Sequence, residues 1–205
     1  MLVGLLGMKI KSMLFKRNNM LAINITNEMV NQASIEAKKR DPHIKHHFEV
    51  SHLSSNERDI LGFLGEFACC DLLKINWKDN IRDNYLSIDE YDFEIKNLKV
   101  DVKTETVPLN YANKIVDRNI ADDELYGRRL IHKGQFSLLS KYDIVIFGLF
   151  IRDDLSKWYP IGYIESKVIL EHYLPTFERP DGGRYPFPAS PIPTSILKPI
   201  HDLME

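Results

Sequence analysis

The segment that most limits what this chain can become is residues 91–105. Tyr91, Phe93 and Ile95 alternate with Asp92 and Glu94, Lys96-Asn97-Leu98-Lys99 reads as a turn, and Val100, Val102 and Thr104 alternate with Asp101, Lys103 and Glu105. A period of two on both sides of a turn predicts a β-hairpin with one wet face. With the turn centred between Asn97 and Leu98, Asp92 falls opposite Lys103 and Glu94 opposite Asp101, and all four side chains share a face. A slip of two residues brings Asp92 opposite Asp101 and leaves the face unchanged.

The hairpin follows a strongly marked helix. Ser54-Ser55-Asn56-Glu57 is a capping box with Ser54 as N-cap, and Ile60, Leu61, Leu64, Phe67, Ala68 and Leu72 then form a broad apolar stripe. Glu66 is the odd member. Gly62, Phe63, Cys69 and Cys70 lie one turn from it, so its carboxylate projects among small and apolar side chains. A carboxylate so placed needs a partner, and a metal ion or a lysine would serve.

Elsewhere the periods are coarser. A helix is expected from Thr26, with Met29, Val30, Ala33 and Ala37 at helical spacing, closing on Lys38-Lys39-Arg40 before Asp41-Pro42. The His43, His46 and His47 cluster beyond it reads as a solvated loop. Residues 107–134 have no firm period and are expected to hold a helix with loops. Ile144-Val-Ile-Phe-Gly-Leu-Phe-Ile151 is a continuous apolar run of strand length, expected to be buried on both faces. A short strand over 158–164 and a helix from about Glu165 follow. Seven of the ten prolines fall in 175–199, so an irregular tail is expected there, with a short helix near 195–203.

This gives three regions: an N-terminal extension over 1–24, one domain over 25–175, and a Pro-rich C-terminal tail over 176–205 that packs on the domain or a partner. Hydrophobic residues at 44% and charged residues at 27% exclude a disordered or fibrous chain. No apolar run reaches the roughly 18 residues of a membrane span, so no membrane association is expected. Lys+Arg at 27 against Asp+Glu at 29 excludes a histone-like polycation but leaves room for a nucleic-acid enzyme with a local basic surface. Cys69 and Cys70, the only cysteines, are adjacent and too close to pair with one another, which points to a reducing, cytoplasmic setting. The opening residues lack the basic start and cleavage pattern of a signal peptide.

An acidic-x-Lys triplet alone is a weak signal, and the chain contains four: Glu36-Ala-Lys38, Glu94-Ile-Lys96, Asp101-Val-Lys103 and Glu165-Ser-Lys167. Glu36 and Glu165 sit in expected helices and read as solvated charges. Glu94-Ile-Lys96 could pair with Asp83, but no turn lies between them. Only Asp101-Val-Lys103 has an acidic strand, a turn and a Gly-Glu helix before it. In this constellation the chain resembles the PD-(D/E)XK nuclease superfamily, the restriction-endonuclease-like enzymes. The matching segments are Gly62-Phe-Leu-Gly-Glu66-Phe-Ala, Tyr91-Asp92-Phe-Glu-Ile, Val100-Asp101-Val-Lys103-Thr and Tyr142-Asp-Ile-Val-Ile-Phe-Gly. Tyr91 stands where the family name has proline.

The resemblance implies an α/β fold with a restriction-endonuclease-like αβββαβ core, a mixed central sheet flanked by helices. It also implies a Mg²⁺-dependent endonuclease hydrolysing phosphodiester bonds of double-stranded DNA, of restriction, homing or phage type, with Mn²⁺ as a substitute metal. Phosphodiester hydrolysis needs a hard cation held by oxygens while charge grows on the phosphate. Asp92, Asp101 and Glu66 are the candidate metal ligands, the resemblance adding the Val102 carbonyl. Glu66, Asp92, Asp101 and Lys103 form the candidate catalytic set, in which Lys103 orients or deprotonates water or stabilises the transition state. Glu66 ligates directly or through water, or positions Lys103. Arg58, Arg128, Arg129 and Lys133 are candidate nucleic-acid contacts. One site per chain suggests a homodimer for cutting two strands. The alternatives are a structure-specific or RNA-directed nuclease, or a non-catalytic binding or assembly module on the same fold.

Overall fold

The computed structural model describes residues 21–40, 54–82 and 91–205. The His43, His46 and His47 cluster, Asp83 and residues 1–20 lie outside the described residues.

The hairpin forms around Lys96 and Asn97, whose φ values of 50° and 64° are both left-handed. Two successive left-handed residues make the turn whose twist matches that of flanking strands. Strands β2 (Phe93–Ile95) and β3 (Leu98–Val107) therefore pair with Phe93 opposite Val100 and Ile95 opposite Leu98. This register is displaced by two residues from one centred between Asn97 and Leu98, and the face of each side chain is unchanged.

Strand β3 leads through helix α3 (Leu109–Val116) and further elements to β5 (Ile144–Ile151), which pairs with β3 in parallel. β5 is buried along almost its whole length, as a continuous apolar run requires. It pairs antiparallel with β6 (Asp154–Glu165), and β6 pairs with a short first strand, β1 (Ile23–Asn24). The central sheet is mixed, in the order β1-β6-β5-β3-β2. Ile23 and Asn24, assigned from sequence to an N-terminal extension, belong to this sheet.

Register divides the core in two. Val100, Val102, Ile144 and Ile146 point to one face, covered by α1 (Asn27–Arg40) and α2 (Ser55–Leu72). Val145, Phe147 and Leu149 point to the other, covered by α3, by α5 (Ser166–His172) and by a second sheet. That sheet has the order β4-β8-β7, from β4 (Arg128–His132), β7 (Thr176–Glu178) and β8 (Arg184–Pro193). A short helix, α4 (Lys133–Phe136), follows β4.

Two expectations change here. Residues 107–134, read as helix and loops, contain strand β4. Residues 176–205, read as an irregular tail, supply the ten-residue β8, and their 3-10 turn Ile200–Leu203 buries Ile200 and Leu203 in the core beside α1 and α2. Proline is compatible with this strand because Pro191 and Pro193 pair with β4 beyond the reach of β7, whose partners on β8 are Arg184 and Ala189, so β8 has an open edge there. Among the described residues, no helix is long and apolar enough to cross a membrane.

Candidate active site

Helix α2 delivers Glu66. Its N-terminus is fixed by the reciprocal capping box: the Glu57 amide donates to Ser54 Oγ at 3.3 Å, and the Ser54 amide donates to Glu57 Oε2 at 2.8 Å. Two turns before its end, Gly65 brings the helix against β3, since a Cβ there would overlap the Thr104 side chain. Glu66 is consequently buried beside the sheet, with 7% of its surface exposed. Its Oε2 accepts a hydrogen bond from Asn80 Nδ2 at 3.3 Å. Asn80 ends a 3-10 turn, Trp77–Asn80, that is held to α2 by Trp77 stacking on Phe67 at 4.8 Å between ring centroids. Burial raises the Glu66 pKa, an effect opposed by the charges of Arg40 and Arg82 and reinforced by Asp101.

The hairpin delivers the other three groups. Phe93 packs with Val100 and Val102, so alternation sends Asp101 and Lys103 to the face opposite α2. Asp92, at the bend before β2, is locked onto β3 at two points. Its amide donates to the Val100 carbonyl at 2.8 Å, and its Oδ2 accepts the Val102 N–H at 2.6 Å. Arg82 Nη2 lies 3.9 Å from Asp92 Oδ1 and donates to the Tyr91 carbonyl at 3.3 Å. The Lys103 ammonium stands 2.8 Å from both oxygens of Asp101 and is hydrogen-bonded to Oδ1. Asp101 Oδ2 is buried and, among the described residues, has no hydrogen bond of its own.

The electrostatics follow from crowding. Burial, then Glu66 and Asp101, pushes the Asp92 pKa well above the ordinary carboxylate range. Burial pulls the Lys103 pKa down, but Asp101 and Asp92 outweigh it and leave the ammonium harder to deprotonate than usual. Tyr142, just before β5, feels the same field: burial and the charges of Asp101 and Asp92 raise its pKa. The site is therefore an under-compensated carboxylate cluster closed by one lysine.

All four residues of the sequence-derived catalytic set share this one electrostatic neighbourhood. Asp101 and Lys103 are in direct contact, and Asp92 is fixed beside them. Glu66 approaches from the α2 side of the sheet. Among the described residues, no three His, Cys, Asp or Glu side chains stand together as a ready metal-ligand group. Glu66, Asp92 and Asp101 nonetheless feel one another's charge, Asp92 through both of the other two.

The four candidate nucleic-acid residues fare differently. Arg129 is a correction: it is 1% exposed, pairs with Glu105 and donates to the Tyr126 carbonyl, so it ties β4 to β3 rather than meeting a phosphate. Its burial draws its pKa down to about 9. Arg128 donates to the carbonyls of Asp122 and Pro191, each at 3.1 Å, and braces the β4–β8 pairing. Lys133 is exposed on α4, and Arg58 is half-buried on α2. Sequence reasoning missed Arg40, Asn80, Arg82 and Tyr142. Tyr142 lay in a quoted motif, whereas the first three carry no periodic signal. Comparison with family models, curated proteins and solved structures returns no match to this chain.

Proposed function

We propose that this protein is a Mg²⁺-dependent endonuclease that hydrolyses phosphodiester bonds in double-stranded DNA. The observation that carries the reading is the Asp101–Lys103 contact with Asp92 anchored to the intervening Val102 amide. It joins two carboxylates and one ammonium at a strand pair, with Asp101 Oδ2 buried, ion-paired with Lys103 and, among the described residues, without a hydrogen bond of its own. A hard cation fits that donor set, because it is all oxygen and its charge would offset the burial and the carboxylate repulsion that raise Asp92.

Asp92 and Asp101 would hold the cation. When bound, Mg²⁺ supplies Lewis-acid polarisation of the phosphate and a more acidic water. The chain's own groups do the remainder. The Val102 amide fixes the direction of the Asp92 carboxylate. Lys103, kept protonated by its neighbours, faces the charge that develops on the phosphate and stabilises it, in preference to acting as a base. Arg82 adds a second cation at the Asp92 edge, and Glu66 orients the cluster from the α2 side. The described residues carry one such site, so a double-strand cut takes two copies.

The decisive test is incubation of the purified protein with plasmid DNA and Mg²⁺ or Mn²⁺, followed by sequencing of any ends. Nicked or linear product that disappears in EDTA and in the Asp101→Asn variant supports the reading. Intact plasmid under all metals overturns it.

A further inference from the structure

Beside the carboxylates lies a second feature that the hydrolytic chemistry does not use. A cleft of about 360 Å³ opens between the start of β3 and the start of β5, lined by Lys99, Ser140, Lys141, Tyr142 and Asp143. Its wall is pre-built: the Asp143 amide donates to the Lys99 carbonyl at 2.9 Å, and the Lys99 amide donates to Asp143 Oδ2 at 2.8 Å. Binding there would not have to order this part of the backbone first.

We propose that this cleft holds the DNA phosphate adjacent to the scissile one, through the ammonium groups of Lys99 and Lys141 beside the ring of Tyr142. This inference rests on the nuclease reading above. Lys99, Asp101 and Lys103 alternate onto one face of β3, so the cleft lies two strand residues, about 6.6 Å, from the carboxylates. That distance is comparable with the step between neighbouring phosphates on one strand. The same direction is marked by further cations. Lys99 Nζ stands 5.1 Å from the centre of the Tyr91 ring, the Tyr91 carbonyl holds Arg82, and Arg82 lies beside Asp92. Tyr142 belongs to both places, lining the cleft while its phenol feels Asp101 and Asp92.

Two acids are close. Asp143 Oδ2 accepts the Lys99 amide and keeps its charge, so the lining sets two ammonium groups against one carboxylate. Glu94 is the cross-strand partner of Lys99 but is not among the residues that line the cleft. The arrangement suits a single phosphate on an extended backbone. The two ammonium groups meet phosphate as point charges, so their contact positions the strand without selecting sequence.

The test measures binding of a fluorescent duplex oligonucleotide in Ca²⁺ across a salt series. Lys99→Ala/Lys141→Ala should weaken binding at least tenfold and reduce the slope of log K against log salt by about 0.9, the release expected for one lost phosphate contact. Lys99→Arg/Lys141→Arg should restore affinity and slope, which a merely misfolded variant could not explain. Lys167→Ala, which removes an exposed lysine on α5, serves as the control for general loss of charge. If the wild type binds and cleaves DNA while the double alanine variant binds with unchanged affinity and slope, the cleft proposal is overturned and the nuclease reading survives. If the wild type neither binds nor cleaves, the nuclease reading falls and the cleft proposal falls with it.

Discussion

Gly65 and Thr104 touch across the interface between α2 and β3, with no room for even a methyl group between them. This contact puts the residue after Gly65, the buried Glu66, beside the strand that carries Asp101 and Lys103. Thr104 Oγ1 also accepts the Trp158 indole N–H at 3.2 Å, so it cannot easily swing aside. Gly65→Ala should therefore destabilise the protein by about 1–3 kcal/mol, because overpacking outweighs the roughly 1 kcal/mol gained in helix propensity. Thr104→Ala combined with Gly65→Ala should recover part of that loss. Chemical denaturation of the two single variants and the double variant reads the coupling, and purely additive effects would refute the contact.

Lys103 and Asp101 should respond to mutation in opposite ways. Lys103→Ala removes the ammonium in contact with Asp101, taking a charge partner from a buried carboxylate, and should lower the thermal midpoint. Asp101→Asn removes one of the charges that raise Asp92 and Glu66, and should leave the midpoint unchanged or higher. Both should abolish cleavage. Parallel loss of stability and activity in both variants would instead assign the pair a structural role.

Arg82 is predicted to act on phosphate and cation in opposite senses. Arg82→Ala should slow cleavage about tenfold or more by removing a positive group at the Asp92 edge. The same change should tighten Ca²⁺ binding, since a competing charge beside the carboxylates is gone. Isothermal titration with Ca²⁺ and single-turnover cleavage together check the split. Weaker Ca²⁺ binding in the variant would sink it.

What could be read from sequence tracks where a single period dominates. The capping box, the buried run of β5 and the alternation of residues 91–105 each express one local rule, and all three elements form as that rule requires. The hairpin register was open by two residues because the turn residues, Lys96 and Asn97, include a lysine in the left-handed region, where asparagine or glycine would have marked the turn. Tertiary partners were invisible. Arg129 looked like part of a surface cluster until β4 carried it onto Glu105, and Glu36 looked solvated although it is buried beneath Gln32 and Lys39, each 2.8 Å away. Arg82 and Asn80 join the carboxylates only through folding over α2, which no spacing in the chain announces.

The crowding of Asp92 and Glu66 predicts a pH response of stability whose sign is unusual for carboxylates. Both have folded pKa values raised above those of the unfolded chain, by burial first and by neighbouring carboxylates second. The folded state therefore holds their protons more tightly. Their contribution to stability is fully present below the unfolded carboxylate pKa of about 4 and is lost as pH rises through the raised folded values. In EDTA, the thermal midpoint should fall over that window, and Asp92→Asn should flatten the fall. A divalent cation should reverse it, because it binds the ionised carboxylates and adds RT ln(1 + [M]/Kd), about 2.7 kcal/mol at a hundredfold excess over Kd. Ca²⁺ should stabilise as Mg²⁺ does yet support cleavage poorly, since its looser shell orients water less firmly. Melting curves across pH, with EDTA, Mg²⁺ and Ca²⁺ in parallel, measure all three effects. An Asp92→Ala/Asp101→Ala variant that shifted with Mg²⁺ as much as the wild type would place any metal elsewhere and remove the basis of the hydrolytic reading.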